Sequence, residues 1–503
     1  MQSIELRVLA TESSLTLYWD KPQSADAKQL FTVMVNDKAV GQTDRTHYTL
    51  SDLSPNTQVE LTVTSETEDG VFCGRALGRT TAMRRRIDVT KAPYNAKGDG
   101  ETLNTERLQR AFDECSAQDC IYFPKGVYMT GALRGHSDME IYLDEGAVLQ
   151  GTSDVEDYLP RIPSRFEGYE MECYSSVLNF GEMNHEIGPN CENVLIHGKG
   201  TIASGGQQLA MRFIESERER LKEYLHALGD GVKEYENEHT IPGRIRPRLI
   251  NLSNCKNVRI SGLTLKNGAS WNVHMIYCDD IVTDHCVFRS EGVWNGDGWD
   301  PDSSENCTLF ASEFYTGDDA VAIKSGKNPE GNRIARPARH IRIFDCKSAF
   351  GHGIVMGSEM SGGIEDIRIW DCDLRTSEFG LEIKATKKRG GYVCDIIVRD
   401  CIVPRVMIHS VRYNDDGIAA PTLPVLRNCL FERLTLTGMY QASHEGGEMR
   451  PCAAIELIGF DVPGYSISDI TFRDSIVSNE SQNIVLSNVK NLRFENVTFD
   501  EMV

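Results

Sequence analysis

Carboxylates, an imidazole and a lysine crowd into the stretch from Asn295 to Lys384. It reads Asn295-Gly-Asp297-Gly-Trp-Asp300, then Thr316-Gly-Asp318-Asp319-Ala-Val-Ala, then Gly351-His352-Gly353, then Glu382-Ile-Lys384. Crowding like charges raises one carboxyl pKa and leaves another group ionised. That division sets an acid beside a base, the pair that hydrolysis of a glycosidic bond requires. Taken singly, Asp-Asp or Asn-Gly-Asp-Gly is a solvated turn; four such motifs at regular intervals are too concentrated in charge for that. Asp297 and Asp318 are 21 residues apart, about one coil of a right-handed parallel β-helix. Neighbouring strands of such a coil lie about 4.8 Å apart, so groups distant in sequence stand on one wall.

A repeat supports the coil. Asn257-Val-Arg-Ile, Asp280-Ile-Val-Thr, Asn306-Cys-Thr-Leu, His340-Ile-Arg-Ile, Asp366-Ile-Arg-Ile, Asp395-Ile-Ile-Val, Asn428-Cys-Leu-Phe, Asp469-Ile-Thr-Phe and Asn491-Leu-Arg-Phe each open a turn-plus-strand unit, at steps of 22 to 41 residues. A short minimum step with irregular excess predicts one repeat per coil, with loops of varying length at the corners. The helices that a doubly wound α/β fold places between its strands are missing. Asp318 and His352 each fall twelve residues after an opener (Asn306 and His340), which predicts neighbouring places on consecutive coils. Cys286, Cys346, Cys372 and Cys401 each fall six after an opener, with Ser312 and Ser475 in the same slot of other units. Stacked in this way they form a small apolar ladder inside the coil rather than a metal or redox site.

Other elements follow in order. Residues 1–83 alternate in short strands with turn signals, including Ser14–Trp19, Phe31–Val35 and Val59–Val63, which predicts an all-β sandwich. Its early Trp and the Leu53-Ser-Pro-Asn-Thr57 turn resemble a fibronectin type III module, serving either as a docking unit or as a spacer. Arg84-Arg85-Arg86 marks the junction to a second domain over 84–503. There Leu108, Ala111, Phe112 and Cys115 share one face of an amphipathic helix with Asn104 or Thr105 as its N-cap, placed to cover the open end of a strand stack. Residues 207–243 break the pattern as a charged helical insertion, with Leu221, Leu225 and Leu228 on one face.

Composition bounds the function. The chain has 503 residues, 40% of them hydrophobic and 25% charged, the balance of a globular protein. Its net charge of −21 argues against nucleic acid, which rewards basic surfaces. The first residues show no basic stretch followed by an apolar one, and no apolar run long enough to span a bilayer occurs. Fifteen cysteines without CxxC pairs do not read as a disulfide framework or a zinc site. Both observations lead to the expectation of a cytoplasmic protein without membrane partners. The oligomeric state is left open.

Over residues 92–500 the chain resembles the polygalacturonases and their relatives, family 28 of the glycoside hydrolases. The resemblance rests on Asn295-Gly-Asp297, Gly317-Asp-Asp319 and Gly351-His-Gly353 in that order, with Ala96-Lys-Gly-Asp-Gly100, Trp271-Asn-Val-His274 and Tyr413 beside them. It implies a parallel β-helix and inverting hydrolysis of a pectic oligosaccharide, with no metal or other cofactor. Asp318 is then the general acid, Asp297 and Asp319 activate the water, and His352 holds the acid. Asn295, Lys324, Glu382, Lys384, Tyr413 and His274 are implied as substrate-binding, Lys384 through a uronate carboxylate. One position departs from the pattern, because the family usually carries Arg where this chain has Glu382. Arginine clamps a carboxylate and glutamate repels it, so either other cations (Lys324, Lys327, Lys387, Lys388, Arg389) supply the charge or the subsite takes a neutral sugar such as rhamnose. The loop at 327–337 and the insertion at 207–243 favour a blocked cleft and exo action, and the N-terminal module is similar to that of bacterial exo-acting members. A pectate lyase needs a calcium-binding acidic cluster and an arginine base instead, and a non-catalytic pectin-binding coil would have lost the acids.

Overall fold

The computed structural model describes residues 2–23, 29–229, 245–410, 415, 417–443, 447–465, 467–478 and 484–500. It divides into two compact units, Met1–Arg86 and Ile87–Val503, a boundary three residues beyond the arginine run's first member.

In the first unit, a three-stranded antiparallel sheet (Arg7–Ala10, Leu15–Tyr18, His47–Leu50) accompanies a five-stranded one in the order Gln2–Ser3, Gly70–Arg79, Gln58–Thr67, Phe31–Val35, Lys38–Thr43. Trp19 is wholly buried and meets Phe31 edge-on at 5.1 Å. Leu15, Leu17, Val33, Leu61 and Val63 complete the core, the inward set of a period-two pattern.

The second unit is a parallel β-helix. Three parallel sheets run its length: one of thirteen strands, one of eleven, and one of eight continued by a sheet of four. One register position of the thirteen-stranded sheet carries Ile141, Ile196, Ile260, Thr283, Leu309, Ile343, Ile369, Val398, Phe431 and Phe472 in successive coils. Each large member stabilises the coil by about 1.5–3 kcal/mol through burial. Thr283 interrupts the apolar stack because its Oγ1 accepts the Trp299 indole N–H at 3.0 Å.

The repeat openers have a conformational reason. All nine, from Asn257 to Asn491, adopt left-handed backbone with φ between 51° and 60°, which Asn and Asp tolerate best among residues with a side chain. Five residues later a second left-handed residue (His285, Ala311, Asp345, Asp371, Asp400, Arg433, Asp474, Asn496) turns the chain again. Directly after it comes the cysteine slot. The Cys286 amide donates to Ser312 Oγ at 3.1 Å, the Cys372 amide to Cys401 Sγ at 3.4 Å, and the Leu434 amide to Ser475 Oγ at 3.0 Å. The described cysteines are all free thiols.

Two local details differ from expectation. Helix α1 (Thr105–Asp113) has Asn104 as its N-cap, as expected, but the Asn104 side chain makes no capping hydrogen bond. Asn104 instead bonds Lys97 N, Lys97 O and Thr102 O, and Thr105 Oγ1 accepts from Gly131 N at 2.7 Å; both polar groups tie the helix to the first coil. The insertion starts where expected, as α2 (Gly206–Arg220) and α3 (Lys222–Leu228). Its packed face is Leu209, Ala210, Phe213 and Ile214, whereas α3, with Leu225 and Leu228, buries no residue. Residues 230–244 of the insertion lie outside the described residues. No described helix is long and apolar enough to cross a membrane.

Candidate active site

The functional side chains gather at one corner of the coil, where the chain passes from the eight-stranded into the eleven-stranded sheet. Asp297, Asp318 and His352 lie one to three residues before the strands Trp299–Asp302, Val321–Ile323 and Gly353–Met356 there, on successive coils. The backbone pins the levels together: Asn272 N donates to Asp297 O at 2.9 Å, Gly298 N to Asp319 O at 3.0 Å, and His352 N to Asp318 O at 3.0 Å. The glycines around His352 follow from this crowding. Gly351 and Gly353 have φ of 108° and 110°. A Cβ on the first would meet Thr316 Oγ1 and the Asp318 carbonyl; on the second, the Gly380 carbonyl.

Two ion clusters divide the carboxylates. His352 Nδ1 lies 3.0 Å from both Asp318 Oδ1 and Asp319 Oδ1, and Lys384 Nζ stands 3.7 Å from Asp319 Oδ2. Burial alone would favour neutral imidazole, but the two aspartates outweigh it and hold His352 well above its ordinary pKa. Asp318 goes the other way: burial raises it, and His352, then Lys384 and Lys324, pull it below the usual carboxylate range. In the second cluster Lys324 Nζ sits 3.0 Å from Asp297 Oδ2 and 2.8 Å from Asp300 Oδ2, and 3.8 Å from the centroid of the Trp271 ring. Burial pushes Asp297 well up, reinforced by Asp300, Asp318 and Asp319 against the pull of Lys324, and brings Asp300 to about 7. Asp318 has 26% of its side chain exposed, against 4% for Asp297 and 6% for Asp319. It is therefore the aspartate most open to a ligand. Asp318, Asp319 and His352 also form the single trio among the described residues whose ligand atoms lie within 4.8 Å of one another, and the imidazolium and Lys384 already supply their countercharge.

The structure places the remaining candidates unevenly. Lys324 is buried between Asp297 and Asp300 rather than open to a sugar. His274 is wholly buried, 3.3 Å from Asp302 Oδ2, and burial drives its pKa to about 3, so it is a neutral packing group under Trp271. Asn295 is half-buried and accepts from Arg246 at 2.6 Å. Tyr413 lies outside the described residues. Glu382 does not face a ligand either. It is 1% exposed, with Oε1 at 2.6 Å from His409 Nε2 and Oε2 at 3.5 Å from Lys384 Nζ. Its negative charge is spent on those two cations, which removes the repulsion of a uronate expected from sequence.

Burial raises Glu382, yet Lys384 and His409 bring it down to about 2. A depressed carboxylate contributes stability above its unfolded pKa, and that stability is lost as pH falls through the folded value. Glu382→Gln is expected to cost on the order of 2–3 kcal/mol at pH 7 and progressively less between pH 4.5 and 2. Chemical denaturation at pH 7 and pH 3 checks it; an equal loss at both would disprove the charge role.

Sequence reasoning missed two groups. One is the antiparallel hairpin Ile162–Phe166 with Tyr169–Cys173. Phe166 stacks on Trp271 at 5.1 Å, Arg165 binds Asp302 at 2.6 Å, and Tyr169 donates to Asn328 O at 2.8 Å. It is thus bolted along the coils that carry Trp271, Asp302 and the 327–337 loop. Its two-residue Glu167-Gly168 turn was the available signal. The other is His409 with Glu456, 3.4 Å apart, which extends the charge string beyond Glu382.

Comparison with known proteins points to one family. Residues 188–411 match the glycosyl hydrolases family 28. The likeness is to this family. The chain is 25% identical over 476 residues to an exo-poly-alpha-D-galacturonosidase of Dickeya chrysanthemi, covering 90% of this chain and 77% of that protein. It is 34% identical over 340 residues to a probable polygalacturonase of Vitis vinifera, 64% of this chain and 62% of that one. Among solved structures, a family 28 exopolygalacturonase of Yersinia enterocolitica superposes over 99% of this chain and 96% of its own, with a TM-score of 0.84 at 21% identity, a likeness of fold. A hyperthermoactive exopolygalacturonase from Thermotoga maritima matches 83% of this glycoside hydrolase and 92% of its own chain, with a TM-score of 0.67 at 26% identity.

Proposed function

We propose that this enzyme removes units from a chain end of a galacturonide by hydrolysing α-1,4-galacturonosyl linkages with inversion of configuration. The observation that carries the reading is the split of three aspartates on adjacent coils between an open, His352-paired group and a buried, Lys324-paired group. Asp318 protonates the glycosidic oxygen as its bond to the anomeric carbon breaks. Asp297 and Asp319 together take the proton of the water that attacks the anomeric carbon from the opposite face.

Among the protein's own groups, charge favours ionised Asp318 beside protonated His352. A bound galacturonide changes this balance: its carboxylate adds negative charge and its ring expels water, and both raise Asp318. The His352 proton then passes along the 3.0 Å contact to Asp318, so the imidazolium serves as the acid's proton store. Lys384, at the edge of the cluster, is the cation placed to meet a uronate carboxylate.

Exo action is supported by the walls flanking the corner, the 162–173 hairpin on the side of the earlier coils and the hairpin of Met439–Gln441 with Met449–Pro451 on the later ones, and by the exo-acting names of the similar proteins. The test is a time course of products from oligogalacturonides, with rhamnogalacturonan fragments in parallel. Release of mono- or digalacturonate alone from the first is expected. A ladder of intermediate sizes would overturn exo action, and cleavage of rhamnogalacturonan alone would overturn the substrate.

A further inference from the structure

Arg405 stands at the same corner as the catalytic candidates, two coils beyond His352. Leu381 N donates to Arg405 O at 3.2 Å, as Gly380 N does to His352 O at 3.1 Å, so the backbone ladder carries the corner forward to it. At about 4.8 Å per coil this puts Arg405 about 10 Å along the axis from His352. Its guanidinium lies between two aromatic rings, 5.2 Å from Phe379 and 4.9 Å from Tyr440. Phe379 in turn packs on the His352 imidazole at 4.5 Å. Arg405, Phe379 and Tyr440 are all half-buried.

What sets this arginine apart is how little holds it. Its one hydrogen bond among the described residues runs from Nη2 to the Glu378 carbonyl at 2.9 Å, and Nε is buried with no partner. No carboxylate of the described residues lies within ion-pair distance. Glu378 accepts from Ser443, and Glu456, which feels the guanidinium at longer range, is engaged by His409. Buried donors are nearly always satisfied, and a guanidinium's fork geometry suits a carboxylate bidentately. Stacking between two rings fixes the fork's plane in advance, which reduces the ordering cost of binding.

We propose that Arg405 clamps the carboxylate of the uronate unit next to the reacting one, supplying from a later coil the guanidinium that position 382 lacks. The inference rests on the proposed galacturonide substrate. It makes Arg405 a specificity residue: it recognises the flanking sugar's charge and takes no part in proton transfer.

The test compares wild type, Arg405→Gln and Arg405→Lys on trigalacturonate and on its methyl ester. Wild type is expected to prefer the acid. Arg405→Gln is expected to raise KM for the acid roughly tenfold to a hundredfold, the size of a charge-assisted hydrogen bond, with a much smaller change in kcat. Its KM for the ester is expected to stay within about threefold of wild type, and Arg405→Lys to fall between for the acid. The wild-type KM for the acid should also rise with salt more steeply than that of Arg405→Gln. Equal loss on acid and ester, or an unchanged KM for the acid, would overturn the clamp. Wild type inactive on trigalacturonate would instead overturn the galacturonide reading. Should Arg405→Gln fold poorly, Arg405→Lys with the salt dependence decides alone: a wild-type KM for the acid, with wild-type salt dependence, would refute the assignment.

Discussion

Asp318→Asn is expected to lower kcat by about 10³-fold or more while trigalacturonate binding stays within a few-fold of wild type. The amide keeps the shape of the carboxyl and loses the proton that the departing sugar oxygen needs, and general acid catalysis contributes about 10²–10⁴-fold. Asp318 suits this experiment because it is the most exposed of the three aspartates and its removal disturbs the buried Lys324 cluster least. Turnover within tenfold of wild type would sink the acid assignment. A stability signature accompanies the loss. His352 is held well above its ordinary pKa by Asp318 and Asp319, so its contribution is complete below its unfolded pKa of about 6.5 and is lost as pH rises through the folded value. With Asp318 neutral that folded value drops and less stability is there to lose. Melting temperatures measured from pH 6 to pH 10 are therefore expected to fall less steeply in Asp318→Asn than in wild type.

Much of this architecture was legible because a β-helix writes its period into the chain. The Asn, Asp and His openers mark left-handed corners that few other residues accept, and the cysteine slot six residues on sits just inside the second corner, filled by Cys or Ser in most units and by Leu263 and Leu434 in two others. Counted from those corners, the motifs fall on successive coils, and Asp297, Asp318, Asp319 and His352 meet at a third corner, between the eight- and eleven-stranded sheets. What the sequence concealed was the direction in which side chains on one corner point. Lys324 and Glu382 resemble ligand groups in a list of motifs, yet both are buried against partners on neighbouring coils, Asp300 and His409, whose relevance depends on register. His274 carries no local mark to separate it from a ligand either; it is hidden because Trp271 and Asp302 close over it. The hairpin at 162–173 lies outside the repeat altogether, so the period says nothing of it. Arg405 precedes a strand as unremarkably as any residue there, and only the two rings around it, from separate coils, single it out.

The largest stability effect is expected at Lys324. Burial alone would push its ammonium down, but Asp297 and Asp300 outweigh that and hold it well above its usual range. Lys324→Met keeps much of the volume over Trp271 and removes the charge, leaving two buried carboxyls without compensation. Breaking a buried ion pair from one side costs about 3–5 kcal/mol. The sign of the pH dependence identifies the cause. Both carboxyls have folded-state pKa values above the unfolded one, Asp300 at about 7. The folded protein therefore holds protons that the unfolded chain has released, and stability falls as pH rises from about 4 toward 7. Without the ammonium those values climb further, so Lys324→Met is expected to approach wild-type stability near pH 4.5 and to fall well below it by pH 8. Equal melting deficits at both pH values would show that lost packing, not charge, is responsible. The double variant Asp300→Asn/Lys324→Met removes one of the stranded charges and is expected to recover part of the loss at pH 8, a coupling that separate effects would not produce. Activity follows the same charge. If Asp297 must be ionised to take the proton of water, the acid limb of kcat/KM moves to higher pH in Lys324→Met. In Asp300→Asn, where Asp297 loses a neighbouring negative charge and Lys324 keeps only Asp297 and the more distant Glu359 at 4.0 Å, the limb moves lower. Opposite displacements by two substitutions on either side of one carboxylate are what a tuned base predicts; displacements of the same sign would place the titrating group elsewhere.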